Sequence, residues 1–384
     1  MSEHTSTDHR SGRHAAITAF IRDAGWGAAT LTPLPGDAST RRYMRLELGE
    51  KSALVMDQPQ GAESPVAPPG ASAETRRQLG YNAVARLAGA DCARFVAADD
   101  YLRSLGLSAP EIYAADTTQG FVLMEDLGTD MFADVLATGG DEALLYARAA
   151  DVLACIHQHP APEKIGQKTG QLPLFAYDET ALTAEVDLLT EWYFPVALNR
   201  AATDEETAEH RALWQAAQAE APTGPAVFVH RDYHAQNLLW LPGRGGAASV
   251  GLIDFQDAVA GSAAYDLISL TEDARRDVAP ALAEHTMRHY LDTMQAQGTP
   301  VDRDAFAAAM ALFAAQRNAK IVGIFARLYK RDGKPKYLRY LPRVWSYLSA
   351  DLAHPALSQL ASWYDRKISD TVRTSVPAVK EIKE

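Results

Sequence analysis

Residues 228–240 read FVHRDYHAQNLLW. The apolar flanks, 227–229 and 238–240, have the length and composition of short buried strands. Between them stand His230, Arg231, Asp232, His234, Gln236 and Asn237, a run more polar than a turn requires. An ordinary turn needs one or two Gly, Asn or Asp residues to set its dihedrals. This one holds no glycine and carries ionisable groups instead, the composition of a working loop on a rigid support.

A second stretch, residues 249–270, reads SVGLIDFQDAVAGSAAYDLISL. Val250, Leu252 and Ile253 make a buried strand that ends in Asp254. The intervening loop PGRGGAA makes a hairpin that would set Asn237 beside Asp254. An amide oxygen and a carboxylate are hard donors, suited to Mg²⁺ with phosphate and water completing the shell. They suit zinc poorly. Each residue has a plainer reading: an Asx-turn for Asp232, a strand-end amide for Asn237, a helix cap for Asp254. Together, at this spacing, the three point to catalysis.

Asp232, Asn237 after four intervening residues, and a strand-borne Asp254 resemble the catalytic and metal loops of protein-kinase-like phosphotransferases. The likeness is to the aminoglycoside phosphotransferase and choline kinase branch: IDFQDA stands where protein kinases have DFG, and AYDLISL follows with no room for an activation loop. It runs from about residue 31 to 352. Within that branch PGDASTRRYMRL, LVMDQP, FVLMEDLG, HRDYHAQN and QRNAKIVGIFARLYKRDGKPKYL are similar to the anomeric N-acetylmuramate/N-acetylglucosamine kinases of bacterial cell-wall recycling.

The resemblance implies an α+β, bilobal protein-kinase-like fold with a β-sheet N-lobe and a mainly helical C-lobe. The domains would be a lead-in with a short helix at 1–28, a nucleotide-binding lobe at 29–128 and a helical lobe at 129–384. It implies ATP and Mg²⁺ as cofactors, with Asp232 as the catalytic base and Asn237 and Asp254 as metal ligands. Asp37, Ala38, Ser39 and Thr40 would cover the phosphates through their backbone N–H groups. Met124, Glu125 and Leu127 would form the hinge, with backbone groups of Glu125 and Leu127 on the purine. His230 and Asp266 would support the catalytic loop.

Two departures stand out. The lysine that such folds carry on the third strand falls at Met56 and Asp57, so Arg41 or Arg42 becomes the candidate cation for the phosphates. Arg231 is unlike the small or polar residue usual in aminoglycoside kinases; with no activation loop to read, it is assigned no role. On the acceptor side the candidates are Glu185, Trp192, His234, Gln256, Asp257 and Arg317, the last as partner of a lactyl carboxylate. A solvated helix face with Trp192 in partial core is the equal alternative. Rival readings are a kinase for an aminoglycoside, choline or another small alcohol, and a nucleotide-binding scaffold without turnover.

The bulk numbers set limits. A chain of 384 residues, 47% hydrophobic and 22% charged, can bury two sizeable cores. A formal charge of −12 disfavours nucleic acid as a partner. No apolar run is long enough to span a membrane. Cys92 and Cys155 form no disulfide framework and no CxxC, which fits a reducing cytoplasm. Walker A and GxGxxG motifs are absent. The N-terminus lacks an apolar signal core and reads as a disordered lead-in, followed by a helix at 14–25. Strands are expected around Met44–Leu48 and at 52–57, a mobile loop at 59–72, a helix at 91–105, and a hairpin of EIYAA with FVLMED. From Asp141 onward the spacing is mostly helical, with Leu145, Ala149, Val152 and Ile156 on one stripe and Leu182, Val186, Leu189 and Tyr193 on the next.

Overall fold

The computed structural model describes residues 3–35, 41–59, 65–87, 91–167, 170–221 and 224–379. Its strands, in chain order, are β1 (Thr30–Pro33), β2 (Arg42–Leu48), β3 (Lys51–Asp57), β4 (Ile112–Asp116), β5 (Phe121–Glu125), β6 (Lys164–Ile165), β7 (Leu172–Pro173), β8 (Val227–Val229), β9 (Leu238–Trp240), β10 (Val250–Leu252) and β11 (Val259–Gly261). The chain packs into two compact units.

The first unit takes in residues 1–135, 163–174 and 236–258. Its frame is an antiparallel sheet in the order β1-β2-β3-β5-β4. Alternation decides the two faces. Leu46 pairs with Ala53 and Met44 with Val55, and this face packs on Ile17 and Ile21 of α1 (Glu3–Ile21). The helix thus starts at Glu3, where a disordered lead-in was expected; two anchored isoleucines fix its C-terminal turns and no proline interrupts the residues before them. The opposite face carries Leu54, Met56, Val122 and Met124, and Met56 is fully buried there. The site of the missing lysine is therefore filled by core.

Pattern reading missed α2 (Ala73–Leu79), capped by Ser72 Oγ accepting from the Thr75 N–H at 3.1 Å. The expected mobile loop at 59–72 falls partly on 60–64, outside the described residues. Next comes α3 (Cys92–Ser104), which buries Phe95, Val96 and Leu102. Segment 236–258 belongs with this unit because its backbone is bonded into it: Trp240 N–H donates to Asp130 at 2.7 Å and Leu252 N–H to Ser108 at 2.9 Å. A single cut after residue 128 does not describe this packing.

The second unit, residues 136–162, 175–235 and 259–384, is helical apart from the short ladder of β8 with β11. After α4 (Phe132–Ala137), which closes the first unit, come α5 (Glu142–His157), α6 (Glu179–Leu188), α7 (Asp204–Glu220), α8 (Ala264–Thr271), α9 (Pro280–Ala296), α10 (Arg303–Lys330), α11 (Leu341–Asp351), α12 (Ser358–Lys367) and α13 (Asp370–Thr374). The long α10 is the axis of the unit and touches α6, α8 and α11. Gly323 permits the close approach to α6, since a Cβ there would run into the Leu188 backbone.

Two of this unit's buried histidines, His157 and His210, lie on its helices. Trp214 Nε1 donates to His210 Nε2 at 2.9 Å, so that nitrogen keeps its lone pair and a proton would break the bond. Burial pushes the pKa of both His210 and His157 from 6.5 down to about 3. The folded pKa is depressed below the unfolded one, so the unfolded chain binds the proton first. Stability from the neutral ring is present above pH 6.5 and is lost as pH falls toward 3. The destabilisation caused by His210→Gln, measured by urea unfolding, should therefore shrink by about 2 kcal/mol between pH 7 and pH 5. A constant difference would mean that the ring is not held neutral.

Candidate functional site

The loop 230–237 leaves β8 in the second unit and enters β9 in the first, so residues 230–235 belong to the second unit and 236–237 to the first. In the first unit, β9 pairs antiparallel with β10, Leu238 opposite Leu252. One step beyond the ladder, Ile253 N–H donates to the Asn237 carbonyl at 3.3 Å. The next residue, Asp254, sits in the left-handed region at φ 65°, a conformation that costs a non-glycine residue energy and is held by its surroundings. Phe255 supplies that hold, fully buried and stacked on Phe95 of α3 at 4.8 Å. The result sets the Asn237 amide 3.4 Å from Asp254 Oδ2.

Arg41 completes this cluster. Its guanidinium donates to Asp254 Oδ1 and Gln256 Oε1, both at 2.6 Å, while Gln256 Nε2 donates to Asp254 Oδ1 at 3.1 Å. Burial works against the arginine's charge, but Tyr43 and Asp254 outweigh it and hold its pKa above the ordinary value. Asp254 stays about a third exposed, at 35% of its side chain. An amide oxygen and an accessible carboxylate fit a hard, oxygen-seeking cation such as Mg²⁺. Among the described residues no cluster of three His, Cys, Asp or Glu suits a softer metal.

The remaining first-unit candidates divide. Arg42 lies exposed on β2. Gln256 is buried at 3% exposure and spent on Arg41 and Asp254, so it is not an acceptor-lining residue. Asp257 is buried as well and accepts a hydrogen bond from Arg86 Nε at 3.0 Å. At the hinge segment, Glu125 N–H donates to the Glu111 carbonyl at 2.8 Å, so only its carbonyl remains a candidate for a purine. Its carboxylate is paired with Arg244 at 2.5 Å. Met124 is buried in the sheet, and Leu127 beyond it is buried too. Asp37, Ala38, Ser39 and Thr40 lie outside the described residues.

In the second unit the loop is built on Asp266 of α8. Its carboxylate accepts two successive backbone N–H groups, from His230 at 2.6 Å and Arg231 at 2.9 Å. Burial pushes Asp266 up to about 7, against the pull of those two donors. Arg231 has φ 75°, left-handed like Asp254. Tyr233, two residues on, is fully buried and donates its hydroxyl to the Ala149 carbonyl at 2.8 Å. Asp232 is thereby presented from a turn pinned on both sides, with its side chain partly exposed.

Glu185 is not a pocket residue. It has no exposed surface, and its carboxylate binds Arg231 Nη2 at 2.5 Å, Lys320 Nζ at 2.8 Å, Gln316 Nε2 at 3.1 Å and the Tyr177 hydroxyl. Burial opposes its charge, but Lys320 and Arg231 win and lower its pKa. Arg231, left without a role by sequence, is half of this buried pair, and its guanidinium also lies over the Tyr177 ring at 4.8 Å. One signal could have found the network: Gln316, Arg317 and Asn318 are three polar residues in an otherwise apolar stretch of α10, with Lys320 close behind. Arg317 is also enclosed, 5% exposed, and donates to the Glu272 carbonyl at 3.2 Å, so it is not presented to a ligand. Trp192 is half-buried with its indole nitrogen enclosed. His234 is buried, and its Nε2 stands 3.4 Å from Arg275 Nη1.

Comparison with known proteins bears on what this geometry serves. The sequence profile of the family described as “Phosphotransferase enzyme family” matches residues 30–301. The N-acetylmuramate/N-acetylglucosamine kinase of Caulobacter vibrioides is 44% identical over 361 residues, covering 93% of this chain and 97% of that protein. The kinase of the same name from Pseudomonas putida is 34% identical over 347 residues, covering 89% and 90%. Among solved structures, a choline/ethanolamine kinase family protein from Mesorhizobium loti superposes with TM-score 0.53 at 15% identity, covering 94% of this chain and all 100% of that one. The choline kinase of Streptococcus pneumoniae gives 0.52 at 15%, covering 87% and 99%. These likenesses bear out the expected protein-kinase-like α+β fold.

Proposed function

The chain belongs to the phosphotransferase enzyme family, and on that premise we propose that it transfers the γ-phosphoryl group of Mg-ATP to the anomeric hydroxyl of N-acetylmuramate or N-acetylglucosamine. The observation that carries this reading is the near full-length likeness to kinases of that name. In this reading each residue has a part. Asp232, held on a braced turn, orients the acceptor hydroxyl and takes its proton. An anomeric hydroxyl is more acidic than an ordinary alcohol, so one positioned carboxylate suffices as base. Asn237 Oδ1 and Asp254 would hold Mg²⁺, which when bound neutralises charge on the nucleotide phosphates. Little else is asked of the protein, because phosphoryl transfer is mainly positioning and charge stabilisation.

With Met56 in the core, Arg41, bonded to Asp254, is the candidate cation for the phosphates. Arg41→Ala should raise the KM for ATP by about tenfold or more, the usual value of a charged hydrogen bond. An unchanged KM in an ATP titration would assign the role elsewhere. A cationic acceptor would ask for uncommitted carboxylates near Asp232. In the second unit Glu185 is neutralised by Arg231 and Lys320, and Asp266 is occupied by backbone donors. The setting proposed is the cytoplasm, where ATP is supplied and Cys92 and Cys155 stay as thiols. Among the described residues no helix is long and apolar enough to cross a membrane.

A panel of acceptors with labelled ATP tests the reading: N-acetylmuramate, N-acetylglucosamine, choline and kanamycin. The two sugars should be labelled and the two cations not. Labelling of choline or kanamycin in preference to both sugars would overturn it.

A further inference from the structure

Several arginines of the second unit are answered by a carboxylate: Arg231 by Glu185, Arg276 by Glu142, Arg343 by Asp277. Arg275 is the exception beside His234. Among the described residues its guanidinium meets no carboxylate, and its one side-chain contact is Nη1 to His234 Nε2 at 3.4 Å. The nearby Asp273 carboxylate accepts the backbone N–H of Arg275, at 2.8 Å, rather than its side chain. The arginine is half-buried. Holding a guanidinium partly out of water without a counter-ion is costly, and an anion that binds there recovers the cost.

His234 fixes where that anion would lie. It sits two residues past Asp232 and donates its backbone N–H to the Asp232 carbonyl at 3.2 Å. The free guanidinium is thus moored to the turn that presents the proposed base. N-acetylmuramate differs from N-acetylglucosamine by a lactyl group ether-linked at O3, whose carboxylate is an anion two ring carbons from the anomeric carbon. A guanidinium fork matches a carboxylate in two parallel hydrogen bonds.

We infer that Arg275, held by His234, receives the lactyl carboxylate and sets the preference for N-acetylmuramate over N-acetylglucosamine. The inference rests on the acceptor reading above and moves the carboxylate-binding role from the enclosed Arg317 to Arg275. The same oxyanion chemistry would also suit a phosphoryl group of the nucleotide or product. The two sources differ in one respect: every acceptor needs the phosphoryl group, whereas only N-acetylmuramate brings the carboxylate.

The test measures kcat/KM for N-acetylmuramate, its methyl ester and N-acetylglucosamine with the wild-type protein and Arg275→Met. The ratio of acid to N-acetylglucosamine should fall by about 30-fold or more in the variant, mostly through KM. In the wild type, esterification should lower kcat/KM by a similar factor; in the variant it should change little. Equal losses on both sugars would overturn the inference and assign Arg275 to the phosphoryl group or to the fold. If the variant fails to fold, the wild-type comparison of acid and ester still decides, and equal use of the two would overturn it. A wild-type protein that phosphorylates neither sugar would instead sink the functional reading on which the inference stands.

Discussion

Asp232→Asn should lower kcat for sugar phosphorylation by about 10³-fold while leaving nucleotide affinity within about threefold. The amide keeps the shape and volume of the carboxylate but can neither accept the hydroxyl proton nor attract it. The turn should survive, because what holds it is elsewhere. Asp266 bonds the His230 and Arg231 N–H groups, and Tyr233 is tied to the Ala149 carbonyl. Steady-state kinetics with ADP binding by calorimetry separates the two effects. A variant that keeps more than about a tenth of the activity would remove Asp232 from the chemistry, since a general base contributes at least ~10²-fold.

The second large effect is on stability. Glu185→Gln should cost about 3–5 kcal/mol of unfolding free energy, because it leaves Arg231 and Lys320 enclosed with no negative charge between them. The side chain of Arg231 is 5% exposed and that of Lys320 13%, so water cannot take over the carboxylate's part. Arg231 immediately precedes Asp232 and has a strained backbone, so the loss should also slow turnover. Replacing all three charges, with Glu185→Leu, Arg231→Met and Lys320→Met, should recover much of the stability but not the activity. A loss below about 1 kcal/mol in Glu185→Gln, read by urea unfolding, would show that the pair is solvated in a way the geometry denies.

How far the sequence could be read follows from where each determinant lies along the chain. The loop at 230–237 and the strand into Asp254 were legible because their chemistry is local: a polar run between apolar strands, then a carboxylate where a buried strand stops. Four strands of the sheet were legible and β1 was not; Leu46, Ala53, Val55, Phe121 and Leu123 do share its α1-covered core. Glu185 was misread because an acid on a helix looks the same in sequence whether it faces water or two cations. Its partner Arg231 is 46 residues away, and Gln316 is 131 residues away. Arg317 was misread for the same reason, and Arg275 was passed over because lacking a carboxylate partner among the described residues is a property of three dimensions. The packing of 236–258 with the first unit was hidden likewise, since it depends on backbone bonds from Leu252 to Ser108 and from Trp240 to Asp130.

The most direct measurement is phosphorus NMR of the product made from N-acetylmuramate, or N-acetylglucosamine, with Mg-ATP. A phosphorus resonance coupled to the anomeric proton is the predicted result, since it places the new bond on O1. Coupling to the methylene protons at carbon 6, or no phosphorylated sugar at all, would contradict the account.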